Sequence, residues 1–212
     1  MIIDCISDLH GFKPELQGGD LLIVAGDLTA RDTYQEYIDV AEWLRNQDYK
    51  EIIIIAGNHD TAIEKCDIAG DIFYEFNYLE DDGTYFEGLN IYGSPWTLTF
   101  PGMNQRCKAF TKENDEELKK RWHLIPNDTD ILITHMPPNG IFDQTFLGEY
   151  VGSESLREMV ISNKFQKLKA HIFGHIHEHG GSLMDTSICK FINASIMNEV
   201  YDPVNKPVRI EL

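Results

Sequence analysis

Seven residues of this chain have the chemistry of metal ligands: Asp8 and His10, Asp27, Asn58, His135, and His175 with His177. A mixture of carboxylate, carboxamide and imidazole suits divalent first-row metals such as Mn, Fe, Zn or Co. Seven protein ligands are too many for one ion that must also keep a place for water. They suit two ions that share a bridging carboxylate. Two metals about 3.5–4 Å apart can clamp a phosphoryl group and hold a hydroxide in line with the leaving oxygen. Two more polar residues, His59 and Asp60, directly follow Asn58.

The positions of these residues along the chain point to how they are brought together. Apolar runs at Ile2–Ser7, Leu21–Ala25, Glu51–Ala56, Asp130–Thr134 and Lys169–Phe173 read as strands. Nearly continuous apolar character in the first four indicates strands buried on both faces. Each run ends in Asp, Asn or His, often after a glycine that lets the chain turn. In open α/β sheets the carboxyl ends of the strands converge on the ligand crevice. In Asp8-x-His10 and His175-x-His177, alternate side chains of an extended segment would reach one site.

Helical patterns at Thr33–Gln47, Thr61–Cys66, Asp115–His123 and Ser153–Asn163 alternate with the strands, which predicts an α/β layered domain. Thr84–Glu87, Gly88 and Leu89–Tyr92 read as a hairpin, and Leu183–Thr186, Cys189–Asn193 and Val208–Leu212 as closing strands. The expectation is a sandwich of mixed sheets flanked by helices.

The 212 residues include 18 Lys+Arg and 35 Asp+Glu, a net charge of −17, with 42% apolar and 25% charged residues. That supplies one substantial core. So negative a chain is a poor partner for long nucleic acids or anionic membranes. Residues 60 to 87 alone hold nine acids against Lys65. Two divalent cations would invert the sign locally and admit one small phosphate ester. No run approaches the ~18 apolar residues of a membrane span, and the pattern at Met1–Ser7 leads to the expectation of a first strand rather than a signal peptide. Cys5, Cys66, Cys107 and Cys189 lie far apart, as expected for reduced thiols of a cytoplasmic protein.

Taken in order, Asp8-x-His10, Gly26-Asp27, Gly57-Asn58-His59-Asp60, His135 and Gly174-His175-x-His177 resemble the calcineurin-like metallophosphoesterases. Gly93-Ser94-Pro95-Trp96, the run Thr129–Pro138, Asn193-Ala194-Ser195 and the tail Tyr201–Asn205 extend the resemblance to the metallophosphoesterase-domain-containing branch. That branch is similar to class III cyclic-nucleotide phosphodiesterases. The resemblance implies a single domain over residues 1–212 with a four-layer α-β-β-α sandwich. It implies one metal on Asp8, His10 and His177, a second on Asn58, His135 and His175, and Asp27 bridging them, with Mn ahead of Fe, Zn, Co or Mg. A metal-bridging hydroxide would be the nucleophile. His59 would face the substrate, stabilising charge on phosphorus or protonating the leaving alkoxide, and Asp60 would hold the imidazole of His59.

The implied activity is hydrolysis of small phosphate esters, with cyclic nucleotides first. A phosphomonoesterase on nucleotides or other small phosphates, a weakly active nucleotide-binding regulator and a metal-free scaffold are the alternatives. Arg31 follows Asp27 at the spacing of a phosphate-binding arginine in the protein-phosphatase branch. Ala30 stands where that pattern has Asp, so the match is incomplete. Trp96 can stack on a base or cover the core beneath its loop. His123, His171 and His179 read as non-ligands. Lys119, Lys120 and Arg121 read as partners of Asp115, Glu116 and Glu117 along one helix. The sequence sets no oligomeric state.

Overall fold

A computed structural model describes residues 1–100, 102–104, 107–162 and 164–212. Its first sheet orders the strands β13-β1-β2-β3-β4, with β1 Ile2–Ile6, β2 Gly19–Ala25, β3 Tyr49–Ile55, β4 Asn77–Tyr78 and β13 Val208–Glu211. Its second sheet runs β11-β12-β10-β9-β6-β5, with β5 Asp82–Phe86, β6 Leu89–Ser94, β9 Ile131–Thr134, β10 Ala170–Phe173, β11 Ser182–Asp185 and β12 Lys190–Asn193. A small parallel pair, β7 Thr97–Leu98 and β8 Thr111–Lys112, stands apart.

Alternation along the strands builds the layers. Ile3, Cys5, Leu21, Ile23, Ile53 and Ile55 face Ile91, Ile131, Ile133, Ala170, Ile172 and Ile192 in one buried cluster between the sheets. Residues one step along (Leu22, Val24, Ile52, Ile54, and on the other sheet Leu132, Phe173, Phe191) join the helices instead. These are α1 Tyr34–Arg45, α4 Asp115–Trp122 and α5 Glu154–Ile161, with short α2 Thr61–Cys66 and α3 Ala69–Ile72. Both faces of each central strand are therefore apolar, and the fold is the expected mixed sandwich flanked by helices.

The strands β1, β2 and β3 run parallel to one another, as do β6, β9, β10 and β12. The sheets meet at one rim, where Ser7 and Ser195 form a parallel bridge and Ile196 N–H donates to the Ser7 carbonyl at 3.1 Å. The carboxyl ends of both parallel sets open on that rim.

The predicted helices and hairpin form within a few residues of expectation; Asn163, the predicted end of the fourth helix, lies outside the described residues. β4, α3, β7, β8 and a 3-10 turn at His177–His179 have no counterpart in the apolar pattern, being too short to show a period. The expected charge pairing along α4 is absent among the described residues. Arg121 reaches Asp81 at 3.0 Å and Asp115 turns to α5, accepting from Ser153 Oγ at 2.5 Å and Ser155 N–H at 2.7 Å. Tertiary partners with fixed geometry outcompete exposed pairs worth a few tenths of a kcal/mol. All four cysteines are free, and among the described residues no helix is long and apolar enough to cross a membrane.

Candidate metal centre and cleft

Asp27 lies at the middle of the rim, 2% exposed, just after β2. One of its carboxylate oxygens, Oδ2, lies 3.3 Å from His135 Nε2, 3.8 Å from His10 Nε2 and 3.9 Å from His59 Nε2. The other, Oδ1, accepts the backbone N–H of His59 at 2.8 Å. Beside it the buried Asp8 carboxylate meets His177 Nε2 at 3.2 Å and accepts the His175 N–H at 3.1 Å. Among the described residues, three groups of side chains place ligand atoms within 4.8 Å of one another: Asp8, His10 and His177; His10, Asp27 and His59; Asp8, Asp27 and His135. His175 stacks edge-on against His135 with ring centroids 5.1 Å apart.

Backbone carbonyls orient the imidazoles. His135 Nδ1–H donates to Ala25 O at 2.8 Å and His177 Nδ1–H to Asn198 O at 3.1 Å, which leaves each Nε2 lone pair for the centre. Asn58 is turned likewise: its Nδ2 donates to Cys107 O at 3.0 Å, and its Oδ1 lies 3.2 Å from His135 Nε2.

Electrostatics follow the packing. Burial alone would raise the Asp27 carboxyl, but His135 and His59 outweigh it and hold the group well below the ordinary range. Burial likewise opposes ionisation of Asp8, and His177 overcomes it. Burial pushes His10 down to about 4 and His175 down to about 3, so both rings are neutral. Against burial, Asp27 lifts His135 to about 9. A proton there stands where a cation would bring the same positive charge.

The donor set fits metal ions. His10 Nε2 is buried and has no hydrogen-bond partner among the described residues, although it faces a carboxylate. A buried polar atom left so is costly, and a cation between it and Asp27 would satisfy both. Close approach is built into the glycines. A Cβ on Gly57 would lie 2.7 Å from His135 Nε2 and overlap the Asp27 carboxylate, and one on Gly174 would overlap Ser7 Oγ and the Asp8 carboxylate. At these two positions the need is for space rather than for a turn.

Three expectations change here. The segments around Asp8-x-His10 and His175-x-His177 are not extended: Asp8, His10 and His175 have φ of 54°, 41° and 69°. Left-handed turns, which strand alternation cannot reveal, aim these side chains. Asp60 does not hold His59. Its fully buried carboxyl accepts from Gly57 N–H at 2.8 Å and Leu28 N–H at 3.1 Å and meets Tyr37 OH at 3.2 Å. It fastens the turn after β2 to the turn after β3. Burial, then the Asp27 charge, push it up to about 8.

Neither proposed substrate contact lies at the cleft. Trp96 is 7% exposed, packs on Phe110, donates from Nε1 to Asp81 at 2.8 Å and lies under Lys112 and Arg121; the core role prevails. Arg31 is exposed and does not line the cleft. His171, His123 and His179 stand outside every candidate ligand group among the described residues.

The centre opens into a cleft of about 1060 Å³, on which Asp27, Asn58, His59, His175 and His177 face. Phe100, Phe146, Leu147 and Tyr150 form an exposed apolar part of its wall. Tyr201 also lines it, a residue that hydrophobic periodicity could not single out.

A sequence model of the calcineurin-like phosphoesterases matches residues 1–179. The human metallophosphoesterase domain-containing protein 1 is 34% identical over 98% of this chain and 70% of its own length. A probable glycerophosphodiester phosphodiesterase GpdQ of Arcobacter nitrofigilis is 24% identical over 88% of this chain and 66% of that protein. A crystal structure of a Thermus thermophilus protein superimposes with a TM-score of 0.64 at 16% identity, covering 91% of this chain and 88% of its own, a likeness of fold.

Proposed function

Because this chain belongs to the calcineurin-like phosphoesterase family, we propose that it is a two-metal hydrolase of small phosphate esters, a phosphodiesterase acting on cyclic nucleotides. The observation that carries this is the Asp27 carboxylate, with one oxygen 3.3–3.9 Å from three imidazoles, one of them His10 Nε2, which has no hydrogen-bond partner among the described residues. Asp8, His10 and His177 would hold one cation and Asn58, His135 and His175 the other, with Asp27 spanning both. Manganese is the first metal to test. Divalent ions so bound polarise the phosphoryl group and make water acidic enough to attack at neutral pH.

The remaining work belongs to the chain. His59 lines the cleft with its side chain 21% exposed, and its Nε2 faces the carboxylate that the cations would share. A proton at that nitrogen can pass to the leaving alkoxide or stabilise charge on the phosphoryl oxygens. Asp27 Oδ1 fixes the His59 backbone and so aims the ring.

Two observations favour a diester over a monoester. The relative from Arcobacter nitrofigilis is named for a diesterase. Among the described residues the cleft has no Lys or Arg to bind the second charge of a monoester. The test is Mn²⁺-dependent hydrolysis of bis-p-nitrophenyl phosphate, beside a panel of cyclic nucleotides and nucleoside monophosphates. Activity on the diester should fall at least ~100-fold in both Asp27→Ala and His59→Ala. Retained activity in both variants would remove this mechanism, and preferential hydrolysis of monophosphates would favour the monoesterase.

A further inference from the structure

The loop after β12 is built around one unusual residue. Tyr201 has φ 64°, a left-handed conformation that bulky side chains rarely adopt and that structures keep where the surroundings impose it. Asn198 imposes it here. Its side-chain oxygen accepts the N–H groups of Val200 at 3.0 Å and Asp202 at 2.8 Å, and its backbone N–H donates to Asp202 O at 2.9 Å. Its carbonyl accepts Tyr201 N–H at 2.9 Å and also His177 Nδ1–H at 3.1 Å. One carbonyl thus ties the strained residue to an imidazole of the centre.

The strain places the phenol ring over the site. Tyr201 lies edge-on to His10 and to His177 with ring centroids 4.9 Å apart in each case, and 6.4 Å from His59. The residue is 53% exposed and lines the cleft. Its hydroxyl has no hydrogen-bond partner among the described residues. A ring that merely filled space would not need a left-handed backbone.

The charge of the cleft gives that hydroxyl a task. Among the described lining residues there is no Lys or Arg, while Asp115, Glu149, Glu154, Glu178 and Glu199 are present. Among these residues, the donors left for an anionic substrate besides bound cations and a protonated His59 are neutral. A phenol is a neutral donor at pH 7, and Tyr201 is the one stacked against the imidazoles of the centre.

We infer that Tyr201 contacts the substrate, its O–H donating a hydrogen bond to a non-bridging oxygen of the phosphate ester. The inference rests on the phosphoesterase reading above. Its test compares Tyr201→Phe, which keeps the ring and removes the donor, with the wild-type protein loaded with Mn²⁺. Three quantities are measured: kcat/KM on bis-p-nitrophenyl phosphate, binding of inorganic phosphate by calorimetry, and bound metal per chain. The expected result is about a tenfold loss in kcat/KM, the scale of one hydrogen bond to a charged group. Phosphate should bind more weakly and metal content should be unchanged.

Wild-type kcat/KM in Tyr201→Phe would overturn the inference. So would a loss matched by an equal loss of metal, which would make Tyr201 a support of the metal ligands. A wild-type protein that loads metal but hydrolyses no phosphate ester would count against the reading of function instead. Weaker phosphate binding by the variant would then still support the contact, and equal binding would overturn it.

Discussion

Asp8, His10, Asp27 and His175 all sit at positive φ, between 41° and 69°, on backbone that L-residues avoid. Each costs on the order of 1–3 kcal/mol, and hydrogen bonds between adjoining turns hold them there. Asp8 N–H donates to Gly26 O at 2.9 Å and His10 N–H to Asp27 O at 3.0 Å. Asp60 completes the set by accepting backbone N–H groups from two turns at once. Asp60→Ala leaves those two buried donors without an acceptor, at roughly 1–3 kcal/mol each. Thermal unfolding of the metal-free protein should therefore show Tm lower by about 8 °C. Asp60→Asn keeps an oxygen for the N–H groups and an amide for Tyr37 OH, and should unfold within about 2 °C of wild type. Equal loss in both variants would mean that the negative charge, and not the acceptor geometry, is what matters. The identities of these residues were legible in the sequence, because Asp, Asn and His at five strand ends have no cheap structural use. The role of Asp60 was not, since adjacency to His59 says nothing about which way a side chain turns.

At the scale of elements, β10 shows how a polar residue is tolerated inside a layer. His171 is fully buried on the helix-facing side of this strand, against Phe173 and Phe191. Thr134 Oγ1 donates to Met136 O at 2.6 Å, so it accepts from His171 Nε2–H at 2.9 Å, and Nδ1 has no partner among the described residues. A second proton would place a charge among apolar rings, and burial pushes this pKa down to about 3. In the unfolded chain the ring takes up its proton near pH 6.5. Between those values the unfolded state binds more protons, so stability is full above pH 6.5 and is lost as pH falls toward 3. At pH 5 the loss is about 2 kcal/mol. His171→Leu should lose less Tm than wild type between pH 7.5 and pH 5. Parallel losses would show that His171 does not carry the effect. The strand itself was legible as the short run Lys169–Phe173 ending in a glycine and histidines, although it is less continuously apolar than the other four. The two-residue strands β4, β7 and β8 were not, because hydrogen bonds to distant partners define them. The tail beginning at Tyr201 was visible as a motif, but the place of Tyr201 over the imidazoles was not, because it depends on a loop held by Asn198.

The whole molecule brings two sets of parallel strands to a common rim, so ligands from β1, β2 and β3 meet ligands from β9 and β10. That order was visible in the chain as five apolar runs with polar ends, before any geometry. The net charge of −17 and the acids lining the cleft leave the proposed cations as the principal attraction for a phosphate. Two bound metals are therefore the central requirement of the proposed function. The most direct measurement is elemental analysis by mass spectrometry of protein purified without chelator and reconstituted with Mn²⁺. Two equivalents per chain are expected in the wild type and well under two in Asp27→Ala. Less than one equivalent in the reconstituted wild type would contradict it.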